Sequence, residues 1–286
     1  LPLLLMSELD FMAMTIHPID GNGFRIAQQF HRPAVYLDHW AIRHFSENLE
    51  DQERFIKALH RANGLWLFST ANLFEFVGMT DLSQAKDAEV LIQRALPFFH
   101  IAEFAVDKGY IFEEGSIPGL LGPQKDWYLD NLAARASIVG GRWNTHRFIQ
   151  DAINHREQLL PLFQEMKIGI AEAVMSLTKD PQKTCNAKKF IPKADMSLRR
   201  ALFQELLREP HVNEKYIFNE NDAMDFLHAF SSALTCDFVL LDSGWCHKIQ
   251  SASSRMSKAG IKGHIAQCFS KKLVNEFLVA FEAKAV

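Results

Sequence analysis

Aspartate and glutamate side chains recur in this chain at the ends of short apolar runs, where ordinary packing has little use for them. AVYL at 34–37 runs into Asp38, and FVLL at 238–241 runs into Asp242. Four aspartates stand within NDAMDFLHAFSSALTCDFVLLDSGW: Asp222, Asp225, Asp237 and Asp242. A further acid, Glu75, lies inside the otherwise apolar ANLFEFVG, and an unpaired buried carboxylate is costly. Two carboxylates about 4 Å apart repel by roughly 1 kcal/mol in water and about 4 kcal/mol at an effective dielectric near 20. A dry group of them therefore needs a cation. Mg²⁺ prefers carboxylate and water oxygens, and such an ion orients a water, lowers its pKa and stabilises charge on a phosphate.

The elements that must position these acids follow from the apolar pattern. Continuous rather than alternating hydrophobicity in AVYL and FVLL is what a parallel strand covered on both faces requires. In open α/β sheets the ligand crevice lies at the carboxyl ends of such strands, so Asp38 and Asp242 fall on one edge. A third run, LWLF at 65–68, leads into STANLFEFVG, where Ser69 or Thr70 caps a helix that carries Glu75 toward the same edge. NLEDQERFIKALHRANG reads as an amphipathic helix with Phe55, Ile56 and Leu59 on one side and Asn63-Gly64 as its stop. Residues 222–234 are again helical in pattern, with Asn221 as the candidate N-cap. A helix at about 245–259, a weaker strand in HIAQCF and a closing helix in KLVNEFLVAFEAK complete the carboxyl-terminal part.

The order of VYLDHWAI (35–42), LFSTANLFEF (67–76) and NDAMDFLHAF followed by CDFVLLD (221–242) resembles the PIN-domain family of metal-dependent nucleases. The resemblance covers 31–80 and 211–286. It implies an α/β fold, a PIN-like parallel sheet sandwiched by helices, with 1–30 as an N-terminal extension and 81–210 as a long helical insertion. That insertion is expected to hold helices near 82–107, 145–178 and 196–209, joined by EEGSIPGLLGPQ. Position by position, the resemblance implies Asp38, Glu75, Asp222 and Asp242 as the acids that hold Mg²⁺ or Mn²⁺, with Asp225 as an additional or alternative ligand three residues from Asp222. It implies phosphodiester hydrolysis by metal-activated water, RNA as the favoured nucleic-acid substrate and, as in toxin-antitoxin pairs, a cognate inhibitor or antitoxin protein as partner. A homo-oligomer is compatible with it. This sequence departs from a compact family member in the insertion, and in reading VLLD where many members have a threonine shortly before the fourth acid. An inactive PIN-like scaffold that binds RNA or a protein is the alternative.

Taken singly, Asp222 reads as a helix-start acid favoured by the macrodipole, and Asp242 as a strand-end turn residue. Asp237 precedes its strand and belongs at the opposite end of the sheet. His228, three residues after Asp225, is placed to orient it or to serve as a satisfied core histidine.

Composition bounds the rest. The 286 residues are 48% apolar with a net charge of −3, enough for a sizeable core and against disorder. The near-neutral total hides two basic stretches. From Ser243 to Asn275 no acid occurs among Lys248, Arg255, Lys258, Lys262, Lys271 and Lys272, and 183–200 carries six positive charges against one acid. Both fit a phosphate-contacting surface or a solvated face. Trp40, Trp127, Trp143 and Trp245 are candidates for stacking on bases or for the core. Four scattered cysteines form neither a disulfide framework nor a zinc knuckle, which fits a reducing cytoplasm. No run approaches the roughly 18 apolar residues of a membrane span. The start LPLLLMSELDFMAM lacks a basic region and is interrupted by Glu8 and Asp10, so no secretion signal is expected. Dinucleotide, P-loop, serine-hydrolase and zinc-protease motifs do not occur.

Overall fold

A computed structural model describes residues 13–19, 23–79, 82–102, 136–139, 142–145, 147–178, 195–213 and 215–284. EEGSIPGLLGPQ, Trp127 and most of the basic stretch 183–200 lie outside the described residues.

The strands read from apolar runs form the centre of a five-stranded parallel sheet. Ala34–Leu37 (β3) pairs with Leu65–Ser69 (β4) on one side and Phe238–Leu240 (β8) on the other. Phe99–Ala102 (β5) and Gln267–Phe269 (β9) are the edges, giving the order β5-β4-β3-β8-β9. Hydrophobic residues alternate between two cores even though each run is continuous. Tyr36, Leu67 and Val239 enter one core, and Val35, Leu37, Trp66, Phe68, Phe238 and Leu240 enter the other. Both faces must be covered, and the helices do so in two layers. The result is a three-layer α/β/α arrangement.

One layer contains His39–Glu47 (α1), Leu49–Arg61 (α2), Leu82–Ala95 (α4), Phe148–Asn154 (α5) and Val274–Glu282 (α11). Phe45 stacks on Phe55 at 4.9 Å there. The other holds Arg156–Thr178 (α6), Leu198–Leu206 (α7), Glu220–Thr235 (α9) and Ser243–Lys258 (α10), with Phe226 stacked on Phe230 at 5.5 Å. Thr70–Gly78 (α3) follows β4, and Arg208–Val212 (α8) is a short turn of helix. Helix α2 ends as the sequence requires: Asn63 has φ of 44°, and Gly64 lies where a Cβ would meet Pro33 O at 3.2 Å and the Phe281 ring at 3.1 Å.

The region expected to be a helical insertion begins differently. The helix expected over 82–107 stops at Ala95, and after Pro97 the chain enters the sheet as β5. A short apolar run such as FFHIA is ambiguous between helix and strand by periodicity, and Pro97 removes a backbone donor at the point of change. The single helix expected over 145–178 is divided into α5 and α6, and the chain reaches it through the strand Arg142–Thr145 (β7), which pairs with Ala136–Val139 (β6). At the amino terminus, Met14–Ile19 (β1) and Gly23–Gln28 (β2) form a hairpin against β5. The Gln28 amide accepts from Ile101 N at 2.6 Å and donates to Ile101 O at 3.2 Å, the part a neighbouring strand would play.

From the first sheet strand, β3, the chain proceeds to β4 and β5 on one side and later to β8 and β9 on the other. The reversal point lies between β3 and β8. In open α/β sheets the crevice above such a point, at the carboxyl ends, is where ligands bind.

Candidate metal centre

Asp38 stands at that reversal point. Its N–H donates to Leu240 O at 3.0 Å, holding the ends of β3 and β8 together, and its Oδ1 accepts from His39 N at 2.7 Å at the start of α1. Glu75 arrives from the neighbouring strand through α3. Ser69 caps that helix, Asn72 completes a capping box, and Asn72 Nδ2 donates to Leu37 O at 3.1 Å, which fixes α3 against the end of β3. Helix α9 supplies the third group, His228.

Asp38, Glu75 and His228 offer ligand atoms that all lie within 4.8 Å of one another. His228 Nε2 faces Glu75 Oε2 at 3.4 Å. Neither atom has a hydrogen bond, and the His228 side chain is only 1% exposed. The other ring nitrogen, Nδ1, bonds to Tyr36 OH, which also meets Ser69 Oγ at 2.9 Å.

The electrostatics record how closely these groups are held. Burial pushes Asp38 up to about 7, opposed by His228 and reinforced by Glu75. Burial also acts to raise Glu75, but the attraction of His228, with His39 and Lys167, holds it below the usual range. For His228, burial acts to lower its pKa, and Glu75, Asp38 and Asp225 outweigh it, giving about 9. Without a metal, His228 is therefore the cation that the buried acids require.

Asp225 lies one turn before His228 on α9. Burial raises it to about 6; His228 opposes the rise, Asp242 and Glu75 add to it, and the Trp245 side chain hydrogen-bonds to its carboxylate. Asp242 ends the β8 segment as expected and caps α10, its Oδ1 accepting from Gly244 N at 2.7 Å and Trp245 N at 3.1 Å. It acts on Asp225 by its charge and is not one of the three groups within 4.8 Å. Asp222 is not among them either. Helix α9 is capped by Asn219 rather than Asn221, which makes Asp222 the third helical residue. Its Oδ1 accepts from Tyr216 OH at 2.8 Å and its Oδ2 from Asn219 N at 2.9 Å, so both oxygens serve the helix start.

His228 is the member that the order of acids does not disclose, and its partners differ from the expected bond to Asp225. Its sequence signal is the spacing Asp222, Asp225, His228, three residues apart along one helix face. Asp237 lies at the opposite end of the sheet, with Arg32 Nη1 at 2.6 Å and the Ala34 N–H at 2.8 Å.

Two carboxylates and an imidazole, with two facing atoms lacking hydrogen bonds, match the donor set of a divalent transition ion. Of the basic residues that follow Asp242, Arg255 is tied to Glu205 and Lys248 to Glu209, whereas Lys258, Lys262, Lys271 and Lys272 are exposed. Because β9 runs parallel to β8, Lys271 and Lys272 follow its carboxyl end on the same edge as Asp242. Trp245 is 4% exposed with Lys248 Nζ 4.3 Å from its ring centroid, so it belongs to the core. Among the described residues no helix is long and apolar enough to cross a membrane. Comparison of the chain with protein-family models, with curated proteins and with solved structures gave no match.

Proposed function

We propose that this chain is a metal-dependent phosphodiesterase, a PIN-like nuclease acting on RNA. The observation that carries the reading is the convergence of Asp38, Glu75 and His228 within 4.8 Å at the reversal point of a parallel sheet. These three residues hold the divalent cation, Mg²⁺ or Mn²⁺. When bound, it supplies Lewis-acid polarisation of a phosphodiester and acidifies a water. Asp225, raised to about 6 and one helical turn from His228, would be available to exchange a proton near neutral pH. Lys271 and Lys272 supply positive charge at the same edge for the backbone phosphates.

The test is cleavage of a mixed pool of RNA and single-stranded DNA with Mg²⁺, with Mn²⁺ and with EDTA. RNA cleavage that requires the ion and falls at least about 100-fold in Asp38→Asn and Glu75→Gln is expected; that fold-change is the upper end of what losing one supporting partner costs. Metal-independent cleavage, or full activity in both variants, sinks the proposal.

One observation favours an inert scaffold as the second reading. The positive charge that the acids need is already present as His228, paired with Glu75. An intact protein that binds RNA without binding Mg²⁺ or Mn²⁺ supports that reading over the nuclease.

A further inference from the structure

Hydrogen-bond accounting fixes which nitrogen of His228 faces the acids. Asn72 is oriented by its donation from Nδ2 to Leu37 O, which turns Oδ1 toward Ser69. That oxygen accepts from Ser69 N at 2.9 Å and from Ser69 Oγ at 2.9 Å, so the single hydroxyl hydrogen of Ser69 is used. Ser69 Oγ is then an acceptor toward Tyr36, and the phenol hydrogen points to it across 2.9 Å. The phenol oxygen is left to accept from His228 Nδ1. A histidine whose Nδ1 carries this hydrogen uses Nε2 as its coordinating atom, and Nε2 is the atom without a hydrogen bond that faces Glu75.

We propose that His228 Nε2 is a metal ligand, and that the centre is therefore a mixed imidazole and carboxylate site selecting manganese(II) or a later first-row divalent ion over magnesium. The inference rests on the reading of this centre as a divalent-metal site, and it deepens that reading. Magnesium favours oxygen donors and keeps most of its water, whereas imidazole affinity grows along the first transition series. Tyr36 is a positioning residue here, acting through His228. It belongs to β3 while His228 belongs to α9, so the chain Asn72, Ser69, Tyr36, His228 ties α3, β4, β3 and α9 to the orientation of one ring.

The test uses the intact protein and the metals alone. Mn²⁺ binding is followed by loss of the free-ion EPR signal, and pulsed EPR reads nitrogen coupling to the bound ion, with ¹⁵N-histidine labelling to assign it. Expected are a histidine nitrogen coupling in the wild type, its loss in His228→Gln, and displacement by Mg²⁺ only at about tenfold or greater excess. Tyr36→Phe keeps the ring and removes the acceptor, and is expected to weaken Mn²⁺ binding by about 10- to 100-fold with the nitrogen coupling diminished. Bound Mn²⁺ without histidine nitrogen coupling in the wild type overturns this inference and leaves the metal centre standing. Failure of Mn²⁺ and Mg²⁺ to bind at all removes the metal centre itself. The wild-type spectrum decides between these outcomes even where a variant does not fold.

Discussion

The two ends of the central strands treat charge in opposite ways. At the amino end, Asp237 meets Arg32 and the Ala34 N–H, with His264 at 3.6 Å, so the carboxylate has a guanidinium, a backbone donor and a second basic group. At the carboxyl end, Asp38, Glu75 and His228 are brought together with two facing atoms left without hydrogen bonds. The first arrangement closes a sheet; the second holds groups with raised or opposed pKa values together at the strand ends, as sites of chemistry do. Location on the same strands separates the two roles more clearly than residue type does.

Matched substitutions at the two ends separate the two roles. Asp38→Asn is expected to abolish Mn²⁺ binding in EPR titration while leaving unfolding in denaturant, without metal, unchanged or slightly more stable, because a buried charge is removed. Asp237→Asn is expected to leave Mn²⁺ binding intact and to cost about 1–3 kcal/mol in the same unfolding experiment, the range for hydrogen bonds to a charged group. Similar effects of both variants on both readouts would end the distinction.

Metal binding and stability depend on protons in opposite directions. His228, raised to about 9, must lose its Nε2 proton to bind a metal, so Mn²⁺ affinity is expected to rise about tenfold per pH unit toward pH 9. Below about 7 the slope steepens, because Asp38 must also be deprotonated. Metal-free stability runs the other way. A raised His228 stabilises the fold fully below its ordinary value and loses that contribution as pH climbs through about 9. Asp38, also raised, favours the fold while protonated and loses that contribution as pH climbs through about 7. Denaturant unfolding without metal is therefore expected to weaken between pH 5 and 9, with added Mn²⁺ reversing the trend. A flat profile would show that these groups are not held as described.

The smallest effect belongs to the lysines at the same sheet edge. Exchange of Lys271 and Lys272 for alanine is expected to reduce the slope of log affinity against log salt for single-stranded RNA by about 1.4, at about 0.7 per phosphate contact. The Mn²⁺ titration is expected to stay unchanged. An unaltered salt slope places the RNA elsewhere.

How much of this was legible in the sequence depended on whether a local pattern had one solution. AVYL, LWLF and FVLL are short, wholly apolar and followed by acids or caps, and each became a buried parallel strand. Glu75 stood out because its neighbours leave a carboxylate few local partners. FHIA had two solutions, and sheet pairing with β4 selected the strand. On α9 the choice among residues of one face turned on the cap. Asn219 instead of Asn221 commits Asp222 to the helix start and turns the next two residues at the same spacing, Asp225 and His228, toward the strand ends. His228 was hard to single out because a histidine among apolar neighbours more often packs than ligates, and its partners Tyr36, Ser69 and Glu75 are distant in sequence.

Gln28 guards one edge of the sheet. A single side-chain amide occupies both backbone groups of Ile101, so the hairpin shields the β5 edge at that residue without adding a sixth strand. A chain trimmed to begin after Gln28 presents that edge to solvent as a template on which another copy can pair. Solubility during expression, rather than catalysis, is then what this hairpin protects.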